Sequence, residues 1–100
     1  MRIHVEAVHF TADQKLVELI TRKLNKLEQF YDHIIDLNVA LKLENSGQVK
    51  DKIMEARLNV PGDTLICKVS DKKFEAALDL VADNLKRQLI KFKERSRQHG

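Results

Sequence analysis

Lys15, Arg22 and Lys26 recur at spacings that place them on one flank of a helix, with Lys23 close to the apolar edge. Lys73, Arg87 and Lys91 do the same near the end of the chain, with Asn84 between them and Arg95 one turn further on. Fixed positive charge repeated along a helix flank is suited to meeting phosphate, which it attracts over distance and binds by displacing counterions. The charge is also segregated. Asn84 to Gly100 carries six Lys/Arg (Lys86, Arg87, Lys91, Lys93, Arg95, Arg97) against the single acid Glu94. Asp71 to Asp83 carries four acids (Asp71, Glu75, Asp79, Asp83) against Lys72 and Lys73. Basic residues near a helix C-terminus also simply suit its dipole, and charged faces are usually only solvated. Two features favour binding: both helices carry a basic flank, and side by side on one sheet the flanks would border a common groove.

Other chemistry is poorly supplied. His4, His9, His33 and His99 share no metal-ligand spacing with one another or with Cys67, so neither metal nor cofactor is implied. Cys67 falls on the inward phase of a strand and reads as a small buried hydrophobe. No glycine-rich loop opens a helix to cradle phosphate. Asp79 and Asp83, four residues apart, could hold a metal, but acids in the first half of a helix ordinarily just favour its dipole. No catalytic constellation emerges, and the reading is of a non-enzyme without a small-molecule substrate.

Periodicity supplies the elements that must position these charges. Ile3, Val5 and Ala7 alternate with His4 and Glu6 as a strand with one buried face. Thr11-Ala12-Asp13-Gln14 matches a capping box. It opens a helix with an apolar face of Leu16, Val17, Ile20, Leu24, Leu27 and Tyr31, ending near Phe30. Ile35, Leu37, Val39, Leu41 and Leu43 form the clearest strand, and Glu44 to Lys50 with Asn45-Ser46-Gly47 reads as a turn. Met54, Ala56, Leu58 and Val60 form a third strand. Pro61-Gly62 suits the centre of a type II turn, and Leu65, Cys67 and Val69 form a short fourth strand. Ser70 or Asp71 caps a long helix that presents Phe74, Ala77, Leu78, Val81, Leu85, Leu89 and Phe92 on one side.

Strands joined through the first helix should be parallel with a right-handed crossover, and strands joined by turns antiparallel. The expected fold class is α+β: a two-layer β-α-β-β-β-α sandwich, a four-stranded mixed sheet with two helices packed on one face. One hundred residues form a single domain, 1–100, able to bury a core without staples. The tail from Ser96 to Gly100 has no apolar anchor and is expected to be disordered. A lone cysteine, no signal-peptide core behind MRIHVEAVHF and no membrane-length apolar run are the marks of a cytoplasmic chain.

Three segments carry a family resemblance: Arg22 to Phe30 (RKLNKLEQF), Ala56 to Leu65 (ARLNVPGDTL) and Phe74 to Lys93 (FEAALDLVADNLKRQLIKFK). In order and content they resemble the ribosome hibernation family, the short hibernation-promoting factors and ribosome-associated inhibitors, also known as sigma modulation proteins. The resemblance implies a translation regulator of slowed growth and stress. It implies binding to intact ribosomes and to the small ribosomal subunit, in the channel used by messenger and transfer RNA, through basic residues on both helices. Carried over by position, the rRNA contacts are Lys23, Lys26, Arg87 and Lys91. Gln29 and Asn84 stand where the family often has Lys, and Lys86 where it is often acidic. Arg22 and Lys86 are the neighbouring charges that would compensate. The candidate RNA-binding set is therefore Arg22, Lys23, Lys26, Lys86, Arg87, Lys91 and Arg95.

With Phe10, Phe30, Phe74 and Phe92 all assigned to the core, recognition by shape and phosphate is expected rather than base stacking. Nothing in the chain demands a dimer, so the free protein is expected to be monomeric. Two other readings compete: a generic duplex-RNA-binding domain, and a protein-interaction module using the polar sheet face (Glu6, Asp36, Asn38, Glu55, Arg57).

Overall fold

The computed structural model describes residues 1–46 and 49–98. Four strands, β1 (Arg2–Ala7), β2 (Asp36–Ser46), β3 (Val49–Val60) and β4 (Asp63–Asp71), form one sheet in the order β1-β2-β3-β4. Helix α1 (Gln14–Asn25) continues into a 3-10 turn, Lys26–Gln29, and α2 runs from Phe74 to Gln98. β1 and β2 are parallel, while β2–β3 and β3–β4 are antiparallel. The mixed sheet and the element order are those expected from periodicity.

The core lies between the sheet and the two helices. Leu37, Val39, Leu41, Met54, Ala56, Leu58, Val60, Leu65 and Cys67 are buried from the sheet. Ile20 and Leu24 from α1, and Phe74, Ala77, Leu78, Val81, Leu85 and Leu89 from α2, are buried against them. Each strand contributes alternate residues and each helix one stripe, so a single phase choice per element brings most of the apolar residues together, with Ile53 buried and Ile66 exposed on the opposite phase of the sheet. Aromatic pairs tie both ends of α2 to the chain flanking α1. Phe10 stacks on Phe74 at 5.9 Å, and Tyr31 meets Phe92 edge-on at 5.6 Å. His9, in the connection leading to α1, takes the left-handed conformation at φ 64.

Several local expectations shift. Helix α1 is capped by Asp13 rather than Thr11: the Asp13 carboxylate accepts the Lys15 amide at 3.0 Å, and its carbonyl accepts the amides of Leu16 and Val17. A carboxylate satisfies the free amides as well as a hydroxyl and adds a favourable charge at the helix N-terminus. Asp71 does accept the amides of Lys72 and Lys73, but the first helical bond runs from Ala77 to the Lys73 carbonyl. The helix therefore begins later than its acidic neighbour suggests. At its other end α2 continues through Ser96 to Gln98, into the expected tail. The turn expected over Glu44 to Lys50 is shorter, since Glu44, Asn45 and Ser46 belong to β2 and Val49 and Lys50 to β3; Gly47, Gln48, His99 and Gly100 lie outside the described residues.

Ile35 and Leu43, which continue the apolar alternation of β2, are 58% and 51% exposed. For Leu43 the reason is coverage, not phase, whereas Ile35 lies at the opposite end, one residue before β2 begins. β4 ends at Asp71 opposite Lys52, and Leu43 is the β2 partner of Lys52, so the β2–β3 hairpin projects past the start of α2. The β3–β4 connection behaves as read, with Gly62 at φ 83 supplying the positive φ that a type II turn requires.

The sheet face away from the helices is polar. Asp36 accepts hydrogen bonds from Asn59 at 2.5 Å and Asn38 at 3.4 Å, and Thr64 donates to Asn59 at 2.9 Å. Further along, Glu55 of β3 holds Lys42 of β2 at 3.2 Å and Lys68 of β4 at 3.6 Å. The Lys42 hydrogen bond, helped by the nearby Lys68 charge and opposed by partial burial, keeps the Glu55 carboxyl below its ordinary range.

Two stability measurements follow. Leu58, fully buried on central strand β3, should cost about 2–5 kcal/mol when cut to Ala. Ile66→Ser on the exposed face of β4 should change the unfolding free energy measured in urea little, by about 0.5 kcal/mol at most. A carboxyl depressed in the folded state stabilises above its unfolded pKa and stops doing so as pH falls through its folded pKa. Native protein should therefore lose urea resistance on acidification through the carboxylate range, and Glu55→Gln should lose less over the same interval.

Candidate nucleic-acid interface

Both helices lie on one sheet face, and the helix layer leaves a groove between them. Leu27 is buried beneath it, with Phe30 and Ala82 partly buried beside it. Lys23 and Lys26 enter from the α1 side, and Asp79, Asp83 and Lys86 from α2. The 3-10 turn at Lys26–Gln29 matters locally. By tightening the end of α1 it keeps Leu27 pointing into the core while Lys26 stays exposed at the groove. Lys86 places its ammonium 4.9 Å from the centre of the Phe30 ring, so an aromatic face holds one of the groove's cations in position.

The groove is less uniformly basic than the two flanks suggested. Lys23 forms an ion pair across the helices with Asp79. On α2, Arg87 meets Asp83 at 3.1 Å. Among the described residues, Lys26 and Lys86 have no carboxylate partner. They are the groove's unneutralised positive charge.

The seven basic residues picked out from the sequence do not all converge. Lys23, Lys26 and Lys86 line the groove. Arg87 sits beside it through Asp83, and Arg22 is exposed on α1. Lys91 and Arg95 belong to a separate depression, formed with Gln88 and Phe92 against Asp63, Thr64 and Leu65 at the β3–β4 turn. The expectation of one groove bordered by both flanks thus holds only in part. Residues advance by about 100° along a helix, so Lys86 and Lys91 are separated by some 140° around α2. The Arg87–Lys91–Arg95 flank consequently turns toward β4 rather than toward α1. Gln88 confirms that direction by donating to the Ile66 carbonyl of β4 at 2.9 Å.

Sequence reading did not find the Lys23–Asp79 pair or the Lys86–Phe30 contact. The first joins residues 56 positions apart and leaves no periodic trace. Phe30 was assigned wholly to the core, whereas it is half-buried and keeps a face for Lys86. Cys67 is buried as expected, and burial pushes its thiol up, opposed by the positive charge of Arg87. Among the described residues, no group of three His, Cys, Asp or Glu gathers to hold a metal ion, and no helix is long and apolar enough to cross a membrane. A second polar depression lies on the open sheet face, where the small Ala40 is ringed by His4, Glu6, Asn38, Glu55 and Arg57.

Comparison with known proteins extends the likeness to the whole chain. A ribosome hibernation promoting factor from Escherichia coli K12 is 32% identical over 99 residues, covering 99% of this chain and 100% of the relative. One from Klebsiella oxytoca is 31% identical over 99 residues with the same coverage. The fold matches a ribosomal subunit interface protein from Coxiella burnetii with a TM-score of 0.84, at 23% identity over 94% of this chain and 99% of that one. It also matches the N-terminal domain of Thermus thermophilus Protein Y with a TM-score of 0.79, at 22% identity over 92% and 99% of the two chains. The family model for sigma 54 modulation protein / S30EA ribosomal protein matches residues 3–97, and the chain belongs to that family.

Proposed function

We propose that this chain is a ribosome-associated hibernation factor, a cytoplasmic non-enzyme acting as a single binding domain. It binds rRNA of the small subunit in the messenger and transfer RNA channel, where it excludes both by occupying their space. The observation that carries the reading is end-to-end similarity to ribosome hibernation promoting factors, joined to a helix layer with lysines from both helices in one groove.

In this reading Lys26 and Lys86 make the first phosphate contacts, since among the described residues neither is ion-paired. Lys23 and Arg87, each paired with a carboxylate, add weaker phosphate contacts. Lys91 and Arg95 meet phosphate on the β4 side of the same helix, and Arg22 on the outer surface of α1. Two parallel arrays on a rigid layer measure the spacing of phosphates, which is recognition by shape. Polar contacts hold Asp36, Asn38, Asn59 and Glu55 on the opposite sheet face, and that face takes no part in RNA binding.

Co-sedimentation of purified protein with small subunits and intact ribosomes across a salt series tests this. Binding near one copy per particle should weaken steeply with salt. Lys26→Ala, Lys86→Ala and Lys91→Ala should each flatten the logarithmic salt slope by roughly one unit. Absence of ribosome binding at low salt would discard the function. Equal affinity for plain duplex RNA would point instead to a generic duplex-binding domain. Salt-insensitive binding that survives charge reversal at Lys26 and Lys86 would move the interface to the sheet face.

A further inference from the structure

Asp79 and Asp83 are the part of the groove that phosphate binding leaves unused. Both line it among the cations they oppose. Helix polarity does not account for them, because the favourable effect on acids fades beyond the first turn. Asp79 and Asp83 are the sixth and tenth residues of α2. Each instead engages a cation: Asp79 takes Lys23 from the other helix, and Asp83 takes Arg87. Neither pair is sequestered. The side chains of Lys23 and Asp79 remain 40% and 64% exposed, and those of Arg87 and Asp83 remain 67% and 64% exposed. Ion pairs this open contribute little to stability and exchange readily for another anion.

We propose, building on the phosphate-binding reading above, that Asp79 and Asp83 determine specificity by standing in for phosphate within the groove. They neutralise Lys23 and Arg87 in the free protein and repel any strand laid across them. Free positive charge is thereby concentrated at Lys26 and Lys86. An RNA whose phosphates fall on those two positions binds with little repulsion. A generic strand, sampling many registers, is rejected from those that bring phosphate onto the acids. The acids lower affinity for polyanions in general and lower it less for the matched surface.

The test uses the full chain, a plain RNA duplex and purified ribosomes at fixed low salt. Asp79→Asn should raise affinity for plain duplex by about three- to tenfold at ~50 mM salt, with a smaller rise for ribosomes. Asp79→Glu, which keeps the carboxylate, should bind duplex as the native protein does. Lys23→Ala should cost little duplex affinity in the native background and several-fold more in the Asp79→Asn background, because only there is Lys23 unheld. Matching thermal unfolding midpoints separate these effects from damage to the fold.

The proposal is overturned if Asp79→Asn leaves duplex affinity unchanged, or if neither protein binds duplex at low salt. It is also overturned if Lys23→Ala costs the same in both backgrounds, or if Asp79→Glu behaves as Asp79→Asn. Failure of native protein to bind ribosomes would remove the proposed function, whereas an equal rise for duplex and ribosomes in Asp79→Asn would overturn the specificity role of Asp79 and leave that function standing.

Discussion

The parallel pairing of β1 with β2 is the constraint on which the rest of the molecule depends. Two parallel neighbours need a crossover, and its handedness decides which face of the sheet α1 covers. Here α1 lands on the same face as α2, whose own face is set by the short β4–α2 connection. Four strands at ~4.8 Å spacing span about 15–19 Å, and two helices side by side at 8–10 Å between axes need about as much. The sheet is therefore just wide enough for both, and they meet along a narrow groove rather than a broad gap. The open face is left without apolar cover and carries polar rows instead, tied together by Asp36, Asn59 and Glu55.

Helix α2 is held mainly by what it buries. Its stripe from Phe74 to Leu89 sits against β3 and β4, and Phe10 and Tyr31 fix its two ends through Phe74 and Phe92. None of this burial uses the charged residues, which leaves them free of any role in the core. The exposed pairs add little to stability, because water competes for them. Burial and exposed charge thus reside in different residues of the same helix.

What the sequence revealed follows that division. The strands, the helices and the core from Leu37 to Leu89 were legible because apolar periodicity is a local property, and one sheet face completes it. Coverage was not legible. Leu43 keeps the apolar phase, yet the relative lengths of β2, β3 and β4 leave it in solvent. Capping was misplaced: the capping-box spacing names Thr11, whereas the Asp13 side chain accepts the Lys15 amide, a choice that depends on backbone geometry. The basic residues could be named from the sequence, but their grouping could not. A flank is defined around one helix axis, and which neighbour it faces depends on how that helix is rotated on the sheet. Lys86 and Lys91 share a helix and a charge, and the fold sends one to the groove and the other toward β4.

The rotation also explains why the total charge is a poor guide to this surface. Counting residues makes the last part of α2 strongly basic and its first part acidic, as if the helix had one binding end. In three dimensions the acids at Asp79 and Asp83 lie beside cations from both helices, while among the described residues Lys26 and Lys86 stand without such partners. Folding has converted a gradient along the chain into a pattern across a surface. A gradient would attract any polyanion, with a strength set by charge and salt alone. On the proposed reading, a pattern of neutralised and free cations on a rigid layer also distinguishes one arrangement of phosphates from another, and that distinction requires both helices to be fixed on the same face of the sheet.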